Sequence, residues 1–400
     1  METGLSSNPR AVLKPRKARP FYGRHPWVLD TAIARMDPAA DGDVVDLVSE
    51  KEKFIARGIV NSQSRIRVRL YTWDASESLD EAFWRRRLEA AVELRRRLGY
   101  DDPQGACRLV FSEGDGLSGL VVDRYADYLA VQITALAMAV RQEPIVRTLA
   151  ELVHPRGIML RTEKGTVKAE GLTLRDGPCW GEAPAGPILI KENGLEYGVD
   201  LAEGQKTGFY LDQRENRLAA ARYLRGRRVL DMFCYSGGFS LAASVLGGAK
   251  EVLAYDSSEK AVALARANAR LNAAANVRVE SGEAFEVLES LRSAGERFGG
   301  VILDPPKFAR SRRSLAEALR AYHWLNRLGV ELLEPGGILV TCSCSGQVTR
   351  EDFLDMLLGV SQQTHRELQV LEQRGASPDH PTGVTCRESE YLKCFICRAG

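Results

Sequence analysis

From about residue 227 onward, strand-like and helix-like stretches alternate, and this constrains the fold more than any other feature of the chain. Apolar runs read as strands at 228–233, 251–255, 276–280, 299–303, 337–342, 367–373 and 391–397. Stretches of helical periodicity fall between them at 238–247, 258–273, 283–293, 314–334 and 349–362. Regular alternation calls for crossover connections, so the expected architecture is α/β, with a parallel, doubly wound sheet. The last strand follows the sixth with no helical stretch between them, and a return of that kind is antiparallel.

Upstream the pattern differs. Strands are expected at 11–13, 43–49, 54–60 and 66–70, separated by Gly and Asp turns. A helix is expected over 79–98, where Leu79, Phe83, Leu88, Ala91, Leu94 and Leu98 recur at helical spacing and Gly99 stops it. A strand–turn–strand then surrounds the loop 113–119, a helix follows at 142–153, and strands lie near 157–161 and 187–199. The expected segments are a disordered tail (1–9), a β-rich domain (10–75), a central α+β domain (76–195) and the α/β domain (196–400).

The formal net charge of +2 hides an asymmetry. Residues 1–75 hold 13 Lys and Arg against 9 Asp and Glu, while the rest hold 42 against 44. A positive N-terminal region suits a nucleic-acid partner, although a solubilising tail would have the same balance. Eight Cys in 400 residues are too sparse for a disulfide framework. No secretory h-region and no long apolar run is present, so the expectation is a cytoplasmic chain with no membrane partner. Cys394 and Cys397 form a CxxC, but only Cys386 is near in sequence, and no metal is expected. The oligomeric state is left open, a homodimer included.

Ligands of open α/β sheets bind at the carboxyl ends of the strands. Asp231 ends the first strand there, in VLDMFCYSGGFS, with Phe233, Ser236 and Gly237 in the loop that opens the next helix. A glycine here lets the backbone turn tightly beside a ligand. The loop is neither GxGxxG nor a P-loop, so a dinucleotide or ATP is disfavoured. Asp256 and Ser257 end the second strand, where a carboxylate can accept two ribose hydroxyls, and Glu283 follows the third, near an adenine edge. Each alone could be a helix cap or a turn. In order, they resemble the S-adenosylmethionine site of class I methyltransferases. Upstream, GQKTGFYLDQRENR adds Lys206, Thr207, Tyr210, Asp212 and Arg214 in one polar stretch.

The fourth strand ends in DPPKFARS, whose Pro pair makes a rigid corner holding Asp304 and the Pro305 carbonyl, with Phe308 available for stacking. The fifth ends in TCSCSG, with Cys342 and Cys344 two residues apart. GQKTGFYLDQR, DMFCYSGGFS, DPPKFARS and SCSG in this order resemble the bacterial large-subunit rRNA cytosine-C5 methyltransferases. The N-terminal GRHPWV and FIARGIVNSQSRIRVR resemble the PUA module of that family. The resemblance implies a PUA-like domain, a small central domain and a Rossmann-like class I methyltransferase domain. It also implies S-adenosylmethionine as cofactor and large-subunit rRNA as partner.

The implied chemistry is thiol addition to carbon 6 of cytosine, which activates carbon 5 for methylation. Cys344 matches the family's SCSG and Asp304 would hydrogen-bond the ring. Cys342 has a rival claim through TCS, the motif of the two-cysteine enzymes. Those enzymes carry a second Cys at the Pro corner, absent here, so the base taking the carbon-5 proton is unassigned. Asp379 and His380 are candidates, as is a plain turn at that place.

For RNA, the sequence offers Arg10, Lys14, Arg16, Lys17, Arg19 and Arg24 beside Phe21, Tyr22 and Trp27, and the alternating Arg65, Arg67 and Arg69. The triple-Arg runs 85–87 and 95–97 read better as a solvated helix face. Two alternatives stand beside this reading. One is a base-amine methyltransferase that holds an NH2 on Asp304 and the Pro305 carbonyl. The other is a non-catalytic RNA-binding or ribosome-assembly protein on the same fold.

Overall fold

The structure is a computed structural model that describes residues 8–201, 208–309 and 314–400. Its contacts divide the chain into two compact units: one of residues 1–188, 199–208 and 378–389, and one of residues 189–198, 209–377 and 390–400.

The first unit contains two sheets. The N-terminal sheet has six strands in the order Trp27–Leu29, Ile66–Thr72, Phe54–Val60, Val44–Val48, Arg10–Leu13, Ile33–Met36. Both outermost strands, WVL and IARM, are short and half exposed. That is why periodicity did not mark them. Val28, Val45, Leu47, Ile55, Val60, Val68 and Leu70 form its core with Phe21. Within the expected tail 1–9, residues 1–7 lie outside the described set. Asn8 donates to Asp46, and the Pro9 carbonyl accepts from the Asp46 amide.

The central sheet has five strands in the order Gly177–Gly181, Gly157–Arg161, Tyr128–Ile133, Leu120–Tyr125, Ala106–Phe111. The expected helix is present at Glu81–Arg97, capped by Asp80 accepting from the Phe83 amide. Ile188–Glu192 pairs with Leu195–Val199, so the 195/196 boundary expected from sequence cuts through a hairpin.

The second unit is the doubly wound sheet. In chain order its strands are β1 (Arg228–Met232), β2 (Glu251–Asp256), β3 (Val277–Ser281), β4 (Phe298–Leu303), β5 (Leu333–Ser343), β6 (Leu368–Arg374) and β7 (Lys393–Ala399). A helix, Arg214–Ala221, precedes β1, and the α-helices that follow the strands are α1 (Gly238–Leu241), α2 (Glu259–Leu271), α3 (Ala284–Ser293), α4 (Leu315–Glu331) and α5 (Arg350–Thr364). The strand order is β3-β2-β1-β4-β5-β7-β6. β7 inserts between β5 and β6, antiparallel to both, as the missing helix required. β4, in the middle, is buried at every position, which explains its unbroken apolar run. The order reverses between β1 and β4, and their carboxyl ends mark the switch point where such sheets bind ligands.

Candidate active site

At the end of β1, Asp231 is 1% exposed. Ser240, carried by α1, donates to its Oδ2 at 2.5 Å, while Oδ1 is buried with no hydrogen-bond partner among the described residues. Burial pushes this carboxyl up to about 7, and the facing Asp304 and Asp256 add to the rise. Three carboxyl groups from the ends of β1, β2 and β4 thus face one another. A carboxylate buried this way, with an orphaned oxygen, calls for a cation.

The loop after β1 is built to turn sharply. Phe233, Tyr235 and Gly237 have φ of 67°, 48° and 84°, three left-handed positions within five residues. Two of them are not glycine, a strain that persists only when the surroundings hold it. Here the Tyr235 amide donates to Asp256 Oδ2 at 3.0 Å, the Gly237 amide to the Cys234 carbonyl at 2.8 Å, and Asn268 to the Ser236 carbonyl at 2.9 Å. Asp256 also accepts from the Ser258 amide at 2.9 Å, so it anchors the loop as well as standing at the β2 edge. Ser236 is buried, and Phe233 packs on the main core. Ser257 and Glu283 are exposed at the starts of α2 and α3.

Of the upstream stretch, Lys206 and Thr207 lie outside the described residues. The Tyr210 ring meets Tyr235 edge-on at 5.1 Å, and its hydroxyl is pushed up by burial and by Asp304, Tyr235 and Cys344. Asp212 and Arg214 are buried and serve the scaffold. Tyr391 donates to Asp212, and Arg214 lies 3.6 Å from Glu192, which Arg217 grips through two bonds.

At the β4 corner, Gln213 donates to Asp304 Oδ1 at 3.0 Å. Asn216 donates to Gln213 at 2.6 Å and Arg374 to Asn216 at 3.0 Å, a chain that fixes Asp304 from behind. Sequence reading did not single out Gln213, though it stands inside GQKTGFYLDQR. Phe308 packs against Tyr322 at 4.7 Å, half-buried in the core, so its ring serves packing where stacking on a base was expected.

The two cysteines separate cleanly. Cys342 lies inside β5, fully buried and opposite Cys394, and burial with that neighbour pushes its thiol well up. Cys344 lies just beyond β5, half-buried, with its thiol 3.9 Å from the Pro305 carbonyl. The flanking serines are tied down: Ser343 donates to the Tyr322 hydroxyl at 3.0 Å, and Ser345 lies 3.1 Å from it. The Pro305 carbonyl and Cys344 therefore stand together, at the edge that carries Asp304.

Asp379 and His380 belong to the first unit, where they are bound up in its interior. His380 Nδ1 is 2.9 Å from Asp379, which also accepts from the Arg108 amide at 2.9 Å, and its carbonyl accepts from Arg95 at 2.7 Å. Asp379 is 0% and His380 4% exposed. His25, Cys386 and Glu388 bring potential ligand atoms within 4.8 Å of one another. The Trp27 amide donates to His25 Nδ1, so Nε2 carries the proton and donates to Glu388. The three side chains form a hydrogen-bonded cluster in this arrangement.

The arginine face fares unevenly. Arg69 is buried between Ser118 and Glu170, Arg67 donates to the Ser62 carbonyl, and Arg65 is exposed. Alternation put the three on one face, but that face turns inward along the strand. Arg16, Lys17, Arg19, Tyr22 and Arg24 are exposed, whereas Phe21 is buried and the Trp27 indole donates to Glu113.

Residues 179–388 match a family described as S-adenosylmethionine-dependent methyltransferase, and residues 11–73 match one described as a PUA-like domain. The chain belongs to this family of S-adenosylmethionine-dependent methyltransferases. A relative from Escherichia coli K12, named Ribosomal RNA large subunit methyltransferase I, is 38% identical over 392 residues, covering 97% of this chain and 99% of its own. Its counterpart of the same name in Salmonella schwarzengrund is 37% identical over 400 residues, covering 99% of each. A SAM-dependent methyltransferase from Streptococcus mutans shares the fold, with a TM-score of 0.83 at 22% identity over 97% of this chain and 99% of that one. A methyltransferase solved in complex with SAH gives 0.84 at the same identity and coverage. The cofactor is S-adenosylmethionine, and the donor set fits it. Asp231 has a buried oxygen with no hydrogen-bond partner among the described residues, Asp256 stands at the carboxyl end of β2, and Gly237 turns the backbone between them.

Proposed function

We propose that this protein methylates carbon 5 of a cytosine in large-subunit rRNA, with Cys344 as the nucleophile. The observation that carries the reading is the placement of a half-buried thiol 3.9 Å from the Pro305 carbonyl, beside Asp304, at the switch-point edge of the sheet. The names of the relatives, which specify large-subunit rRNA, support the substrate class.

S-adenosylmethionine supplies an electrophilic methyl group at this edge. Asp231, Asp256 and the 233–237 loop would hold it, with Tyr210, Lys206 and Thr207 from the preceding segment. Carbon 5 of cytosine is too weak a nucleophile to take that methyl unaided. The Cys344 thiolate adds to carbon 6, forming a C–S bond and moving the ring's electron pair to carbon 5. Asp304, held by Gln213 and acting as its carboxylic acid, donates to ring nitrogen 3 and so offsets the negative charge that develops there as the thiolate adds. After methylation, carbon 5 gives its proton to water, the C–H electron pair re-forms the carbon 5–carbon 6 double bond, and the C–S bond breaks to return the thiolate. Asp304 and the Pro305 corner orient the base, which leaves its stack to reach the thiol. The exposed cations Arg16, Lys17, Arg19, Arg24 and Arg65 contribute phosphate affinity away from the chemistry.

The test is incubation of the protein with rRNA and methyl-labelled S-adenosylmethionine, followed by identification of the labelled nucleoside. 5-Methylcytidine is the expected product. A methylated guanine or adenine would refute the thiol reading and return Cys344 to a packing role.

A further inference from the structure

Lys393 opens β7 and is 2% exposed. Nothing in the cofactor or RNA chemistry accounts for it. A lysine buried to this degree is normally paired with a carboxylate, yet it makes no ion pair with one among the described residues. The antiparallel register of β5 and β7 sets it opposite Ser343, one residue before Cys344. Its Nζ donates to the Ser345 carbonyl at 2.7 Å and to the Tyr391 carbonyl at 2.8 Å. One of these bonds grips the residue that follows the thiol. Two neutral carbonyls hold the amine in place but do not neutralise it.

Among the described residues, the groups whose charge acts most on Lys393 are Cys344, Glu390, Arg350 and Lys307. Arg350 and Lys307 are cations. Glu390 is paired with Arg350 at 3.1 Å. Cys344 remains as the group whose ionisation would balance the buried charge, and it is the strongest influence favouring the ammonium. Against it, burial pulls Lys393 down to about 8.

We propose that Lys393 is a positioning residue of the methyl transfer, holding Cys344 as a thiolate and fixing the Ser343–Ser345 turn on which that sulfur rides. The thiol proton leaves to solvent, Lys393 stays an ammonium, and the thiolate is regenerated when the C–S bond breaks, so the cycle needs no other proton carrier at the sulfur. The proposal rests on the reading of Cys344 as nucleophile.

The test is the pH profile of Cys344 alkylation by iodoacetamide, followed on the Cys344 peptide by mass spectrometry. In folded Lys393→Met the midpoint should rise by at least about one pH unit, so that alkylation at pH 7 slows about tenfold. Lys393→Arg, which keeps the cation, should restore most of that rate. The kcat profile for methyl transfer should move with the alkylation profile while the KM for RNA stays put. An unshifted alkylation profile in folded Lys393→Met overturns the proposal.

If Lys393→Met does not fold, the reciprocal measurement decides. Lys393 is titrated by NMR in protein carrying [ε-13C]lysine, with and without Cys344→Ala. Coupling is mutual, so loss of the thiol must lower the Lys393 midpoint, and an unmoved midpoint overturns the proposal. The two readings fail differently. Full methyl transfer by Cys344→Ala sinks the nucleophile and the proposal with it. An inactive Cys344→Ala with no Lys393–Cys344 coupling sinks only the role of Lys393.

Discussion

In the first unit, buried charges meet partners at close range. Arg57 lies 2.7 Å from Asp46, Arg95 2.6 Å from Asp115, Arg108 2.7 Å from Asp123 and Arg69 3.0 Å from Glu170. At the carboxyl edge of the second unit two buried ionisable groups, Asp231 and Lys393, have no ion-pair partner among the described residues. Asp231 keeps an orphaned oxygen beside two other carboxyls, and Lys393 has carbonyls for company. The ion pairs of the first unit hold a scaffold together. On the function proposed above, the two groups of the second would meet their missing charge in the cofactor and in the Cys344 thiolate. Arg217 on Glu192 shows that the second unit can complete a buried pair where no ligand is expected.

The comparison breaks first at the thiols. Cys344→Ala should lower methyl transfer by about 10³-fold or more, as removal of a covalent nucleophile does. Cys342→Ala should leave turnover within about tenfold of wild type and cost about 1 kcal/mol of stability, as a small packing change does. Equal losses in both, measured with labelled cofactor, would erase the distinction between them.

On the paired side, Arg95→Met leaves Asp115 buried and unpaired, at a cost of about 3–5 kcal/mol. Denaturant unfolding should show that loss. S-adenosylmethionine affinity of the folded fraction should be unchanged. A fall in affinity with stability intact would reverse the assignment of scaffold and site.

The Asp231 carboxyl sharpens the other side. Its value in the folded chain, about 7, lies above its unfolded value near 4. Folding therefore favours the protonated form, and this contribution is complete below about pH 4 and lost as the pH rises towards 7. Thermal stability of the cofactor-free protein should decline across that window, and Asp231→Asn should flatten the decline. Calorimetry should show S-adenosylmethionine binding more tightly as pH rises from 6 to 8, because ionised Asp231 meets its positive charge. A pH-independent affinity in wild type would remove Asp231 from the cofactor site.

The smallest effect belongs to the RNA face. Arg65→Glu should weaken rRNA binding modestly and lower the slope of log affinity against log salt by about 1. Arg69→Glu should instead destabilise the first unit, since Arg69 is buried beside Glu170. Identical salt slopes for wild type and Arg65→Glu would take Arg65 off the RNA surface.

The sequence by itself determined the doubly wound sheet, the antiparallel last strand and the loops that carry Asp231, Asp256, Asp304 and Cys344. Each of these is a local pattern: an apolar run buried on both faces, a missing crossover helix, a glycine turn at a strand end. It missed Trp27–Leu29, Ile33–Met36 and Gly177–Gly181, edge strands held by a single neighbour and too exposed for a clear period. Tertiary structure decided which chemically similar residues differ in role. Cys342 and Cys344 are two residues apart, but only the pairing of β5 with β7 buries the first against Cys394 and leaves the second beyond the ladder. Arg65, Arg67 and Arg69 alternate alike, but only packing onto Ser118 and Glu170 withdraws Arg69 from solvent. Gln213 and Lys393 gained their places through partners 91 and 48 residues away in the chain. Burial and pairing across such distances have no local period, so no window of sequence records them.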